Sequence, residues 1–199
     1  MSGEVAFGVA ISEDRKLASV VAAGRSAASG KVLVDLSPFY AHPRGVITAL
    51  SELYVKHDPV AVVVNAKAQS GTLVEPLKTA GIIALLPDAA DVAVAHGQFL
   101  DLVNDGGLEH LDQPPLTAAV RAGQQRDLAG AQAWDPKVAV DQGPLVAATL
   151  AVWAFLRWEE LASPGVWEVL SAWVSFRLAR RLPRTAVDPL ARPGSCRPR

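Results

Sequence analysis

Two oxygen-bearing side chains, Asn65 and Asp141, lie where a folded chain could present them to a cation. Asn65 directly follows the apolar run 60–64, and Asp141 precedes a second apolar segment that begins at Pro144. Hard cations such as Mg²⁺ prefer oxygen ligands, and phosphodiester hydrolysis by two metal ions needs carboxylates that converge from distant parts of a chain. The residue types therefore indicate divalent-metal chemistry, in which Asp141 would supply charge and Asn65 only a neutral oxygen.

Each of these residues also has a simpler structural interpretation. An acid at the position of Asp141 suits the start of a helix, where the helix dipole stabilises a carboxylate. Asn65, at the end of a predicted strand, suits the capping of a turn. Three acids nearby in sequence could supplement a metal site, namely Glu13, Asp14 and Asp135. On spacing alone, Asn65 and Asp141 could be either metal ligands or structural caps.

Other kinds of site are disfavoured by spacing. The segment 24–32 faintly resembles a phosphate-binding loop, but it is one residue too long and has Val32 where a Ser or Thr would bind magnesium. It also joins two predicted strands rather than a strand and a helix, so an ATPase motif is rejected. The four histidines lack metal-ligand spacing. The single Cys196 excludes an internal disulfide and a multi-cysteine zinc site.

The elements that must position Asn65 and Asp141 follow from hydrophobic periodicity. Three short runs joined by turns predict an antiparallel meander of strands at 4–11, 17–23 and 31–36. Helical spacing then alternates with further apolar runs. The predicted helices are 43–57, 70–80, 88–104, 114–122 and 144–158, with buried strands at 60–64 and 82–86, a strand or turn at 108–111, and irregular structure or a β excursion at 126–140. This order predicts an α/β fold, a mixed sheet flanked by helices on both faces.

Composition divides the chain into three parts. Residues 1–160 are predicted to form the folded domain, 161–182 an appended amphipathic helix, and 183–199 a basic, disordered tail. Residues 177–199 carry seven arginines and one acid, a net charge of +6, which leaves −7 on the remainder of the chain. Such a tail could contact nucleic acid or an anionic surface, or could be a solvated terminus.

No feature of the sequence predicts a membrane protein. Residues 1–4 have neither the basic patch nor the apolar run of a signal peptide. The longest apolar stretch, 144–156, is too short to span a bilayer, which favours a buried helix. We therefore expect a cytoplasmic protein without a membrane partner.

Several motifs, matching in order and spacing over roughly residues 5–158, resemble the nuclease domain of a tailed-phage terminase large subunit. The resemblance is strongest to terminases of actinobacterial phages and prophages. The motifs are Val9-Ala10-Ile11-Ser12-Glu13-Asp14 with the segment 18–24, the strand 59–65, the segments 97–101 and 108–114, and Ala133-Trp134-Asp135 with the segment 141–151.

The resemblance implies a ribonuclease H-like fold: a three-strand antiparallel meander plus parallel strands, flanked by helices. It also implies DNA as substrate and a two-metal site for Mg²⁺ or Mn²⁺. The family normally has Asp at the positions of Ala10 and Asn65, whereas the acid of the closing segment is kept as Asp141. Asp141 would then be the surviving catalytic residue and metal ligand, Asn65 a weak neutral ligand, and Ala10 the position of a lost acid.

The same resemblance implies a role in cutting phage DNA during packaging, in the cytoplasm of a bacterial host cell. The implied partners are double-stranded DNA and a separate terminase ATPase, a portal or a small terminase subunit. Because two of three expected acids are replaced, we expect impaired cleavage. Two alternatives stay open: a non-catalytic DNA-binding or packaging-assembly module, and a degenerate prophage remnant without function.

Overall fold

The computed structural model describes residues 1–162. Met1–Glu159 form one compact unit, and Glu160–Arg199 belong to a second. The helix predicted for 161–182 lies outside the described residues except for its first two, which end a longer helix, and the basic tail predicted for 183–199 lies outside them entirely. All the residues that line the candidate site belong to the first unit.

A five-stranded mixed sheet forms the centre of this unit, with the order β4-β1-β2-β3-β5. The first three strands form the predicted antiparallel meander, because β1 pairs with β2 and β2 with β3 in antiparallel fashion. Strands β4 and β5 pair in parallel with β1 and β3, respectively. The strands are β1 Ser2–Ile11, β2 Ala18–Arg25, β3 Val32–Ala41, β4 Ala61–Val64 and β5 Leu108–His110.

Five α-helices and a separate hairpin complete the described elements. The helices are α1 Val46–His57, α2 Val74–Thr79, α3 Ala89–Asn104, α4 Pro114–Ala122 and α5 Gly143–Ala162. The 3-10 turns Pro43–Gly45 and Gln69–Leu73 lead into α1 and α2. Strands β6 Gln125–Leu128 and β7 Ala131–Trp134 pair as the hairpin, so the segment predicted as irregular or as a β excursion begins with a β-hairpin.

Helices cover both faces of the sheet, as predicted. On one face α3, α4 and α5 pack through residues such as Phe99, Leu116 and Leu150. On the other face α1 and α2 pack through Leu50 and Leu77. These apolar layers exclude water from both faces of the sheet and supply the main favourable term in folding.

The predicted buried strand at 82–86 is not formed. Its backbone makes only one isolated parallel bridge, between Leu85 and Val63. Ile83 is 78% exposed, and Leu86 is 45% exposed. The segment lies between the Gly81 turn and Pro87, and proline has no N–H with which to continue a ladder. As a result β4 is an edge strand of the five-stranded sheet, although its side chains are covered on both faces.

Helix α5 is the buried helix that the apolar stretch predicted. Its residues from Gly143 to Phe155 are almost all buried, including Trp153. Within residues 1–162, no helix is long and apolar enough to cross a membrane.

Candidate functional site

A cleft of about 450 Å³ brings Ala10, Asn65 and Asp141 together, although they are far apart in the sequence. The pairing of β1 with β4 explains the first two. Val9 and Val64 are the last partners of a parallel ladder, so the residues that follow them are neighbours at the same end of the two strands. Ala10 and Asn65 therefore lie side by side at one end of the sheet.

Asp141 reaches the same edge because α5 lies directly on β1. A Cβ atom at Gly8 would be 2.0 Å from the carbonyl oxygen of Ala147, so only glycine permits this close approach. The beginning of α5 therefore sits above the end of β1. A Cβ atom at Gly143 would lie 3.0 Å from Ser19 Oγ and 3.1 Å from a carboxylate oxygen of Asp141, which places Asp141 near the strand pair of Ala10 and Ser19.

Asn65 caps the turn that follows β4, as its simpler interpretation predicted. Its Oδ1 accepts a hydrogen bond of 3.0 Å from the backbone N–H of Lys67. Its backbone carbonyl accepts bonds from the hydroxyl of Ser70 and the N–H of Ala68, both at 3.1 Å. The side-chain oxygen that a cation would need is thus already accepting a hydrogen bond.

Asp141 similarly serves the start of α5. Its Oδ1 accepts a hydrogen bond of 2.9 Å from the backbone N–H of Gly143, the first residue of the helix. A carboxylate in this place satisfies an otherwise orphaned donor and interacts favourably with the helix dipole. The structure therefore gives Asp141 a helix-start role and, at the same time, a place in the cleft.

The residues of the cleft do not fit a two-metal site. Two divalent ions need several carboxylates in close proximity. Ala10 has no donor atom, and Asn65 carries no charge. Among residues 1–162, no group of three or more His, Cys, Asp or Glu side chains could hold a metal ion. Glu13 and Asp88 also line the cleft, but they do not form such a group with Asp141, so the expected coordination is at most partial.

The supplementary acids are distributed differently from the prediction. Glu13 lines the cleft, whereas Asp14 and Asp135 are not among its lining residues. Asp14 is instead held in the β1–β2 turn, where it accepts a 2.8 Å hydrogen bond from Ser12 and lies 3.0 Å from the ammonium of Lys16. The Ser12 hydrogen bond and the bonds from Lys16 lower the pKa of Asp14 to about 2.

Three charged residues of the cleft escaped the sequence analysis, namely Lys67, Asp88 and Arg126. Asp88 is the N-cap of α3 and forms a capping box with Asp91. The sequence signal was an acid directly after Pro87, which is typical of a helix start. Lys67 and Arg126 stand in turn and hairpin segments, whose position depends on tertiary packing and which carry no periodicity.

A smaller cavity of about 80 Å³ adjoins the cleft, with which it shares Asn65 and Arg126. Its wall includes His96, which is buried. The imidazole ring packs edge-on against the indole ring of Trp134, with 4.5 Å between the ring centroids. Burial lowers the pKa of His96 because water no longer solvates the charged imidazolium. The indole Nε1 of Trp134 donates a 2.8 Å hydrogen bond to Thr149 of α5, and this bond fixes the β6–β7 hairpin beside the cleft.

Comparison with known proteins gives matches at the level of structure. No family model matches the sequence, and no curated protein matches it. The large terminase of bacteriophage HK97 superposes with a TM-score of 0.62 at 17% identity, over 77% of this chain and 40% of the terminase. The chain therefore corresponds to less than half of that protein.

Two isolated nuclease domains are also similar. The large terminase nuclease of thermophilic phage G20c gives a TM-score of 0.59 at 12% identity, over 74% of this chain and 80% of that chain. The large terminase nuclease domain of Thermus phage P74-26 gives 0.52 at 13% identity, over 74% and 77% of the two chains. At these identities the likeness establishes the fold. The described part of this chain has the ribonuclease H-like fold of phage large-terminase nuclease domains.

Proposed function

We propose that this chain is a terminase-type nuclease module that engages phage DNA during packaging and whose ability to cut DNA is impaired. The observation that carries the proposal is the cleft itself. The three positions where the resembled family has acids line one cavity, and only Asp141 supplies a carboxylate. Shared fold and shared site position support the lineage, while the chemistry of the side chains supports the impairment.

In this proposal a divalent ion, Mg²⁺ or Mn²⁺, would find few charged ligands in the cleft. Of the three positions that correspond to the family's acids, only Asp141 offers a charged ligand, and the Oδ1 of Asn65 is a neutral one that already accepts a bond from Lys67. Glu13 and Asp88 also line the cleft, but within residues 1–162 no three acids are grouped so that they could hold a metal ion. A single carboxylate compensates little of the cost of dehydrating a divalent cation. We therefore expect that an ion binds weakly here and that the cleft alone does not assemble a competent hydrolytic site.

The proposed partners are double-stranded DNA and the packaging machinery: a separate terminase ATPase, a portal or a small terminase subunit. The chain corresponds to 40% of the HK97 large terminase, so the activity of that whole protein does not transfer to it. In a packaging role, this module would contact the DNA, and a partner would translocate it.

A non-catalytic DNA-binding or packaging-assembly module is the second candidate, and the two cations of the cleft, Lys67 and Arg126, favour it. A degenerate prophage product is the third, and failure to accumulate as a folded protein would support that one.

Binding and cleavage measured on the same preparation distinguish these candidates. We expect the purified chain to bind double-stranded DNA in a salt-dependent manner and to leave plasmid DNA intact with Mg²⁺ or Mn²⁺. Efficient cleavage that disappears in Asp141→Ala would show that the site is competent and that the impairment is wrong. Absence of both binding and cleavage would remove the DNA-directed function.

A further inference from the structure

The cleft carries two cationic side chains at the place where metal ions would otherwise bring positive charge. Lys67 follows β4 and lies two residues after Asn65, and Arg126 belongs to β6 of the hairpin. Both are exposed and both line the cleft. The ion pairs found within residues 1–162 involve neither of them. Their charges are therefore available to a ligand.

Asn65 presents a hydrogen-bond donor to the same space. Because its Oδ1 accepts the N–H of Lys67, the oxygen faces the turn and the amide nitrogen is the group left for other partners. An asparagine amide nitrogen has two N–H donors and no acceptor capacity. The substitution of an acid by Asn65 thus replaces an acceptor that suits cations with a donor that suits anions.

Three carboxylates line the cleft as well, namely Glu13, Asp88 and Asp141. The negative charge of two of them is partly offset by helix starts. Asp88 accepts the N–H of Asp91 at 2.9 Å at the start of the 16-residue α3, and Asp141 accepts the N–H of Gly143 at the start of the 20-residue α5. The dipole of each helix places partial positive charge at its N-terminus. Glu13 is the one of the three carboxylates without such a helix start beside it, and its charge opposes those of Lys67 and Arg126 most directly.

From this arrangement we infer that the cleft binds a phosphate of the DNA backbone directly through Lys67 and Arg126, without a divalent ion. This inference rests on the proposed function. A lysine ammonium acts as a mobile point charge, whereas an arginine guanidinium can hold two phosphate oxygens at once. A cleft of about 450 Å³ has the size of an ordinary ligand pocket. In the cleft that has lost metal ligands, the side-chain cations would thus take over the contact with the DNA backbone.

The test is fluorescence anisotropy of a labelled double-stranded oligonucleotide titrated with the full chain, in EDTA and in Mg²⁺. The variants are Lys67→Gln and Arg126→Gln. Their matched controls are Lys31→Gln and Arg121→Gln, which remove the same charges from exposed positions that do not line the cleft. Lys31 lies in the β2–β3 turn, at the opposite end of the sheet.

We expect wild-type binding to persist in EDTA and to be no tighter in Mg²⁺ at matched ionic strength, because Mg²⁺ competes for the phosphates as a counterion. Each cleft variant should raise Kd roughly five-fold and lower the slope of log K against log salt by about 1, as expected for one lost phosphate contact. The two controls should leave both quantities close to wild type.

Three results would overturn the inference. If wild type binds DNA but the cleft variants match their controls, the contacts lie elsewhere and the inference fails while the proposed function stands. If EDTA abolishes binding, a metal ion bridges protein and phosphate. If the wild-type chain does not bind DNA at all, the inference and the proposed function fail together.

Discussion

Ala10 is the cross-strand partner of Ser19, and the hydroxyl of Ser19 is buried without a hydrogen-bond partner among residues 1–162. A buried hydroxyl with no partner is costly and uncommon in folded proteins. A carboxylate at position 10 would extend from the same strand pair, on the side of Asp141. The orphaned hydroxyl is thus what the proposed loss of an acid at position 10 would leave behind.

Restoring the two acids should restore cation binding. The double variant Ala10→Asp/Asn65→Asp would add two carboxylates beside Asp141, and hard cations gain affinity with the charge and number of oxygen ligands. Calorimetric titration with Mn²⁺ should show affinity at least about ten-fold above wild type, or about 1.4 kcal/mol. Adding Asp141→Ala to the double variant should remove most of the gain. An unchanged Mn²⁺ affinity would mean that the three positions do not form one site.

His96 should make the stability of the domain depend on pH. Its folded-state pKa is lowered by burial, so the unfolded chain binds a proton more readily than the folded one. The contribution of neutral His96 to stability is therefore complete above the pKa of histidine in the unfolded chain, near 6.5, and it is lost as the pH falls below that value. Arg126 lines the same cavity. Because it is itself positively charged, it does not stabilise the charged form of His96. The urea concentration at the unfolding midpoint should decrease as the pH is lowered from about 8 to about 5.5.

The variant His96→Gln provides the comparison, because it keeps a polar side chain and cannot titrate. Its midpoint should vary less over the same range, while His42→Gln, in an exposed turn, should keep the wild-type profile. A wild-type midpoint that stays constant down to about pH 5.5 would contradict the account of His96.

At the scale of elements, the contact between β1 and α5 determines where the cleft forms. The closest approach is at Gly8, where a methyl group would meet backbone atoms of Ala147 and Ala151 at 2.9 Å or less. Backbone cannot move aside as a flexible side chain can. The helix start, with Asp141, is therefore placed relative to Ala10 by a glycine two residues away.

The substitution Gly8→Ala should force α5 away from the sheet. Overpacking of this kind costs about 2–3 kcal/mol, so the urea midpoint should fall markedly. Gly97→Ala is the matched control, since Gly97 lies inside α3 and the added Cβ would have no atom within 4 Å apart from the backbone of its own helix. It should stabilise the helix by about 0.5–1 kcal/mol. Equal effects of the two substitutions would show that the β1–α5 contact is looser than the structure indicates.

The sequence predicted most of these elements because their signals are local. Short runs joined by turns predicted the meander, and the bounds of α4 agree with the predicted helix 114–122. The strand predicted at 82–86 is wrong, because an apolar run does not show whether a neighbouring strand is available to pair with it. The β6–β7 hairpin was left undecided, since four-residue strands with exposed side chains carry little pattern.

At the scale of the whole molecule, opposite charges are separated along the chain. Residues 177–199 carry a net +6 and the remainder −7. Deletion of residues 177–199 should therefore weaken DNA binding and reduce its dependence on salt, as measured by anisotropy over a salt series. Because this segment and the cleft would contribute separately, the effects of deletion and of Lys67→Gln should add. Unchanged affinity after deletion would restrict DNA binding to the folded unit.

The meeting of Ala10, Asn65 and Asp141 in one cleft could be anticipated from the order of motifs, because parallel strand ends and a helix start converge in this fold. The positions of Lys67, Arg126 and Asp88 could not be anticipated. Their placement depends on a turn, a hairpin and a helix cap whose directions are set by tertiary packing. Charge in the cleft was therefore the property that the sequence predicted least well.

Cleavage of supercoiled plasmid DNA by the double variant Ala10→Asp/Asn65→Asp, beside wild type and in the presence of Mn²⁺, tests the central claim most directly. If the cleft is a nuclease site disabled by two substitutions, the double variant nicks or linearises the plasmid and wild type leaves it supercoiled. Cleavage by the double variant should also disappear when Asp141→Ala is added. A wild-type chain that cuts as fast as the double variant, or a double variant that binds Mn²⁺ tightly and still cuts nothing, would contradict that claim.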